Sequence, residues 1–156
     1  MKVNSDPQWQ AMVAAIVKNH AEGDVITHDE LNTLLRLEEP DCADYQDQAE
    51  YKKAMTTYAF VRLSTIEQLK YDLLVGHKCY IKNVAGEGYR IVPAKDQAAV
   101  AYNVAVSNIH DEFEQGALVM ENVRETALNA EEKKKTNDYK AKLALLQQMF
   151  ENNRKP

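Results

Sequence analysis

The stretch "TIEQLKYDLLVGHKCYIKNVAGEGYRIV", Thr65 to Val92, constrains the fold of this chain more than any other, because a helix-patterned run passes almost directly into a β-hairpin. From about Gln48 to Val75 the apolar residues Tyr51, Met55, Tyr58, Val61, Leu69 and Leu73 follow helical spacing. Gly76 stands where a helix cap in the left-handed region belongs, a conformation that costs glycine nothing. Cys79–Val84 and Tyr89–Val92 are β-prone runs joined by "AGEG", the composition of a short hairpin loop, and Pro93 ends the second strand.

Upstream, Asp6-Pro7 reads as an N-cap followed by proline at the first helical position, and Trp9, Met12, Val13, Ile16 and Val17 give the helix an apolar face. That helix is expected to end near "EGD". Val25 and Ile26 suit a very short strand. Thr27 and Glu30 have capping-box spacing, each side chain satisfying a free N–H at the start of a helix whose buried face is Leu31, Leu34 and Leu35. An acidic loop, "EEPDCAD", follows. The order helix, strand, helix, helix, hairpin is that of a winged helix-turn-helix domain, in which the helix before the hairpin lies in the DNA major groove and the hairpin is a wing beside it.

The stretch "LLVGHKCYIKNVAGEGYRIV" resembles the end of the recognition helix and the wing of two-component response-regulator effector domains, with their "GxGYR" tip, and small winged-helix proteins of bacteriophages and mobile elements. The resemblance covers residues 65–92 and is architectural only over 7–64. It implies DNA binding, a phosphate contact from Arg90, and a phage or mobile-element origin. The 156 residues contain no receiver domain, so activation by phosphorylation does not carry over.

The charge distribution is compatible with that expectation although the net charge is -5. Residues 19–50 hold ten acids against the single base Arg36, whereas 51–95 hold Lys52, Lys53, Arg62, Lys70, Lys78, Lys82, Arg90 and Lys95 against Glu67, Asp72 and Glu87. A domain so divided has a polarised surface, and its basic part includes the hairpin. No stretch approaches the roughly 18 apolar residues of a membrane span, and the N-terminus has no apolar targeting segment, so the expected location is cytoplasmic.

Beyond Lys95 the pattern changes. Tyr102, Val106, Ile109, Phe113, Gly116, Met120, Val123 and Ala127 alternate spacings of 4 and 3, the seam of a coiled coil, over an expected helix from Gln97 to Leu128. Asn129 and Glu132 suggest a fresh helix start, with Tyr139, Leu143, Leu146 and Phe150 as its stripe. A helix of about 45 Å is too long for a small domain to cover. The two helices are therefore expected to pair as a helical hairpin or to associate with a second copy, forming a homodimer that offers two reading helices to half-sites about one DNA turn apart. Tyr102, Val106, Ile109, Phe113, Met120, Val123, Tyr139, Leu143, Leu146 and Phe150 are the candidate oligomerisation residues.

The candidate DNA contacts are Lys52, Lys53, Thr56, Thr57 and Arg62 on the long helix and Lys82, Asn83 and Arg90 on the hairpin. Lysines suit phosphates, while threonines and Arg62 suit base edges. Each has an ordinary alternative: a solvated helix face, an ion pair between Arg62 and the acidic loop, or a charged strand edge that resists aggregation. Tyr89 reads as a packing residue. "GEG" leads into a strand, so it is a turn and not a phosphate loop. The four histidines lack metal spacing, Ser64 and Cys42 lack an activating neighbourhood, neither Cys42 nor Cys79 belongs to a CxxC, and "EEKKK" reads as a solvated helix start. No enzyme, cofactor or metal is expected.

The sequence thus specifies a mainly α (α+β) chain, with a winged helix-turn-helix domain over 6–93 and a helical oligomerisation extension over 96–153. Its expected role is sequence-selective DNA binding in transcription regulation. The alternative is a winged-helix adaptor that binds a protein partner.

Overall fold

The computed structural model describes residues 1–154, which form five α-helices and a three-stranded antiparallel sheet. The chain divides into two compact units, Met1–Ala98 and Ala99 onward.

In the first unit, α1 (Pro7–Asn19) opens as its sequence dictates: the Asp6 carboxylate accepts the Gln8 N–H at 2.9 Å. It stops at Asn19, before the expected "EGD", because His20 is already extended while its N–H still closes on the Ile16 carbonyl at 3.1 Å. Strand β1 (Val25–Thr27) runs straight into α2 (His28–Leu34), where Thr27 Oγ1 accepts the Glu30 N–H at 3.2 Å. Only half of the expected capping box forms. The Glu30 carboxylate turns instead to His20 Nε2, 3.2 Å away.

Leu35 to Asp47 connects α2 to α3, far longer than the 3–4-residue turn of a compact helix-turn-helix. Asp47 caps α3 (Gln48–His77) by accepting the Ala49 N–H at 3.0 Å. The helix does not stop at Gly76. It continues to His77, and Lys78 takes the left-handed conformation, φ 57°. The N–H groups of Lys78 and Cys79 reach the carbonyls of Leu74 and Leu73 at 3.1 and 3.0 Å. That geometry requires the reversal at Lys78, at a cost of about 1 kcal/mol for a residue with a Cβ. It also withholds Cys79 from the strand, so β2 begins at Ile81.

The hairpin consists of β2 (Ile81–Val84) and β3 (Gly88–Ile91), and the sheet order is β1-β3-β2. Pairing Ile81 with Ile91 and Ile26 with Tyr89 sets one face of the sheet inward. That face meets Val13 and Ile16 of α1, Leu31 of α2, and Ile66, Leu69 and Leu73 of α3. Each fully buried aliphatic side chain contributes about 1.5–3 kcal/mol. Gly88 makes the sheet possible. With φ +151°, any Cβ there would lie 2.0 Å from the Ile26 carbonyl oxygen.

One charge enters the core. Asp72, 1% exposed, accepts the Trp9 Nε1–H at 2.6 Å, a Gln68 amide N–H at 3.0 Å and the Asn4 backbone N–H at 3.3 Å. The carboxylate is thereby satisfied, and it ties the N-terminal segment and α1 to α3.

The boundary between the units falls within α4 (Ala94–Glu121), and α5 (Ala130–Arg154) follows. The sequence pattern carries α4 to Leu128, but the helix ends at Glu121. Asn122 returns its side-chain Nδ2 to the Leu118 carbonyl at 2.8 Å, and a 3-10 turn spans Glu125–Ala127. Val123 and Ala127, assigned to the helical stripe, therefore lie in the connection. The start of α5 is a complete capping box: Asn129 Oδ1 accepts the Glu132 N–H at 2.9 Å, and Glu132 Oε2 accepts the Asn129 N–H at 2.8 Å. Lys140 donates to Glu125 at 2.9 Å, and that hydrogen bond and charge hold the Glu125 carboxyl below its ordinary range.

Within this unit α4 and α5 form a helical hairpin. The Phe113 and Phe150 rings lie 5.6 Å apart, and Gly116 leaves room for Leu143. Val106, Met120 and Val123 are half-buried, whereas Tyr102, Ile109, Tyr139 and Leu146 are exposed. Among the described residues no helix is long and apolar enough to cross a membrane.

Candidate nucleic-acid interface

Side chains alternate across a strand, so burying Tyr89 and Ile91 turns Arg90 outward. Lys82 is its cross-strand partner and points the same way, with Val25 on the other side of Arg90. Both cations are exposed, and neither forms an ion pair among the described residues. Like charges directly opposite one another repel, and a phosphate bridging the pair would relieve that repulsion. Asn83 does not join them. Its partner is the inward Tyr89, so it belongs to the opposite face, although it is exposed at the end of the hairpin.

The tip is a turn, as its composition requires. The Glu87 N–H donates to the Val84 carbonyl at 3.1 Å, and Gly86 takes φ +77°, a value glycine adopts without strain. Beneath it Tyr89 is a packing residue, 9% exposed. The His28 ring stands edge-on to it at 5.8 Å, and Lys70 Nζ lies 5.2 Å from its ring centre while binding Glu67 at 2.7 Å.

Arg62 belongs to this inner cluster. Its Nε donates to Asn32 Oδ1 at 2.9 Å and its Nη2 to His28 Nδ1 at 3.2 Å, so it fastens α3 to α2. The acidic loop, its expected alternative partner, does not hold it. A guanidinium has only donors, so His28 Nδ1 is the acceptor and the imidazole carries its proton on Nε2.

Lys52, Lys53, Thr56 and Thr57 are exposed on the first turns of α3. Both hydroxyls donate within the helix, Thr56 to the Lys52 carbonyl at 2.8 Å and Thr57 to the Lys53 carbonyl at 3.0 Å. Their oxygens remain available as acceptors. Lys52 precedes the buried Ile66 by a helical run of about 21 Å, so these four residues extend well beyond the packed end of α3. The candidate interface therefore has two parts: the leading turns of α3, and the Lys82–Arg90 face of the hairpin.

Between them lie residues that the sequence reading passed over. Phe60 is 69% exposed and Leu63 59% exposed. A helical wheel phased on Ile66, Leu69 and Leu73, at about 100° per residue, places Phe60 on the far side but Leu63 only on the flank, so the sequence carried the signal for Phe60 alone.

The other candidate reactive groups are drawn into local contacts. His110 Nδ1 lies 3.7 Å from Glu114 on the surface of α4, with Asp111 beside them. The Cys79 thiol is pushed up by burial and, less strongly, by the Glu22 charge, which keeps it protonated and a weak nucleophile. No protein-family model, curated protein or solved structure matches this chain.

Proposed function

We propose that this chain is a winged helix-turn-helix protein that binds duplex DNA and regulates by occupancy, with the second unit joining two copies. The observation that carries the reading is the unneutralised Lys82–Arg90 pair on the outward face of a hairpin that follows a helix bearing exposed Lys52, Lys53, Thr56 and Thr57. The element order and the addition of β1 beside β3 support the same architecture. In this reading α3 enters the major groove, its lysines meeting phosphates and its threonines base edges, while Arg90 and Lys82 hold the backbone beside it. Arg62 serves by fixing α3 against α2. Joining two copies raises affinity for paired half-sites through effective concentration.

A second reading has its own support. Exposed Phe60 and Leu63 on α3, together with the long acidic connection from Leu35 to Asp47, suit an adaptor that docks a protein partner.

Titration of mixed-sequence duplex DNA at two salt concentrations separates them. DNA binding predicts an affinity that falls steeply with salt, and a shallower salt slope for Lys82→Glu with Arg90→Glu. Absence of duplex binding at low salt, or full affinity in that double variant and in Lys52→Glu with Lys53→Glu, overturns the DNA reading in favour of the adaptor.

A further inference from the structure

We propose that Thr56, Phe60 and Leu63 form an apolar stripe on α3 that recognises the 5-methyl groups of thymine, so that the preferred duplex carries thymines at neighbouring positions of its major groove. The inference rests on the DNA-binding reading above and assigns the chemistry by which that surface selects its sequence.

At about 100° per residue, Lys53, Thr56, Phe60 and Leu63 fall within about 80° of one another around α3, over a run of about 15 Å. Phe60 and Leu63 are more than half exposed. Thr56 is exposed as well, and its hydroxyl proton is spent on the Lys52 carbonyl at 2.8 Å. Toward a base edge it therefore offers no donor, only an acceptor oxygen and a methyl. Charge bounds the stripe at both ends. Lys53, with Lys52 beside it, precedes it, and neither lysine forms an ion pair among the described residues. Glu67 follows on the same face, but its carboxylate is bound by Lys70 Nζ at 2.7 Å, and that nitrogen lies 5.2 Å from the ring centre of Tyr89 in the hairpin. The stripe thus ends beside the hairpin, with Glu67 neutralised.

The residue types in the stripe decide what it can read. Base edges in the major groove present hydrogen-bond donors and acceptors, and the thymine methyl is the one apolar group of any size among them. Phenylalanine and leucine side chains have neither donor nor acceptor, so against a polar edge they strip its water and return no hydrogen bond. Against a methyl, two wetted apolar surfaces become one contact. Phe60 and Leu63 stand about 4.5 Å apart along the helix axis, against a base-pair rise of about 3.4 Å, which suits thymines one or two pairs apart. The same two side chains underlie the adaptor reading. Lys53, Thr56 and Glu67 interrupt the apolar surface around them, and two residues are few against the roughly 20–30 that each side of a protein interface supplies, which favours the duplex.

The probe is the duplex most enriched by the full chain from a random-sequence pool, synthesised once with thymine and once with deoxyuridine, which lacks only the methyl. The wild type is expected to bind the deoxyuridine duplex roughly tenfold more weakly, two methyls contributing about fourfold each, at an unchanged salt slope. Phe60→Ala and Leu63→Ala, with circular dichroism confirming the fold, are expected to lose affinity for the thymine duplex and little for the deoxyuridine duplex, so that the methyl effect shrinks several-fold. A wild type that binds both duplexes equally overturns the inference, as does a methyl effect of full size in both variants. A pool that binds without enrichment of any duplex also overturns it, while DNA binding stands. Absence of duplex binding at low salt overturns the DNA reading itself and leaves Phe60 and Leu63 to a protein partner.

Discussion

The first unit buries Val13, Ile16, Ile26, Leu31, Leu69 and Leu73 completely, whereas no side chain between Ala99 and Asn153 is fully buried. Both regions are rich in apolar residues at helical spacing, so composition does not explain the difference. A sheet gives the first unit a flat inner face that α1, α2 and the second half of α3 can close. Two helices alone touch along a line, which leaves each with a bare flank. The same helix chemistry therefore yields a self-sufficient core in one region and an unfinished one in the other. The contrast recurs inside α3, where Ile66 to Leu73 belongs to the core and the turns carrying Lys52 to Phe60 do not.

The comparison can be broken most directly at Gly88. Gly88→Val drives a side chain into the Ile26 carbonyl at a backbone angle that valine resists, and should cost the first unit about 3–5 kcal/mol in urea unfolding. An unchanged midpoint would mean that β1 does not approach β3 so closely. Next, Leu69→Ala should cost about 2–5 kcal/mol, while Leu146→Ala should cost the chain within about 0.5 kcal/mol under conditions where it is monomeric. Equal losses would erase the distinction between the two regions. Asp72→Ala should cost about 1–3 kcal/mol by stranding the donors it now satisfies. Trp9 is the sole tryptophan, so its fluorescence reports that loss directly. The smallest effect expected is that of Asn129→Ala, which removes one partner of the α5 capping box and should cost about 1 kcal/mol, read as fraying of α5 by circular dichroism.

Much of the fold was legible where a few neighbouring residues decide it. Asp6-Pro7, Thr27 and the Asn129–Glu132 pair mark true helix starts, and the Gly86 turn joins two strands within two residues of their expected bounds. Gly76 misled because a glycine permits a reversal without requiring one, and the carbonyls of Leu73 and Leu74 were closed two residues later. The end of α4 was hidden because Val123 and Ala127 keep the apolar spacing after the helix has stopped.

The candidate site was legible in part. Lys52, Lys53, Thr56 and Thr57 are exposed because the leading turns of α3 run beyond the core, whereas the pairing of Lys82 with Arg90 follows from the hairpin register. The separation of Asn83 from them was implicit in the same register. Arg62 could not be assigned from its own helix, since its partners Asn32 and His28 lie some thirty residues away.

The sequence by itself determined where helices begin, where the hairpin turns and which helix faces are apolar, because caps, backbone angles and side-chain period act over a few residues. Only the tertiary structure decided that Asp72 is buried and satisfied, that Arg62 holds α2, that Gly88 must be glycine and that Leu63 stays exposed. Those outcomes depend on which distant segments arrive to supply a donor, a carbonyl or a covering surface, and burial is a property of the assembled chain.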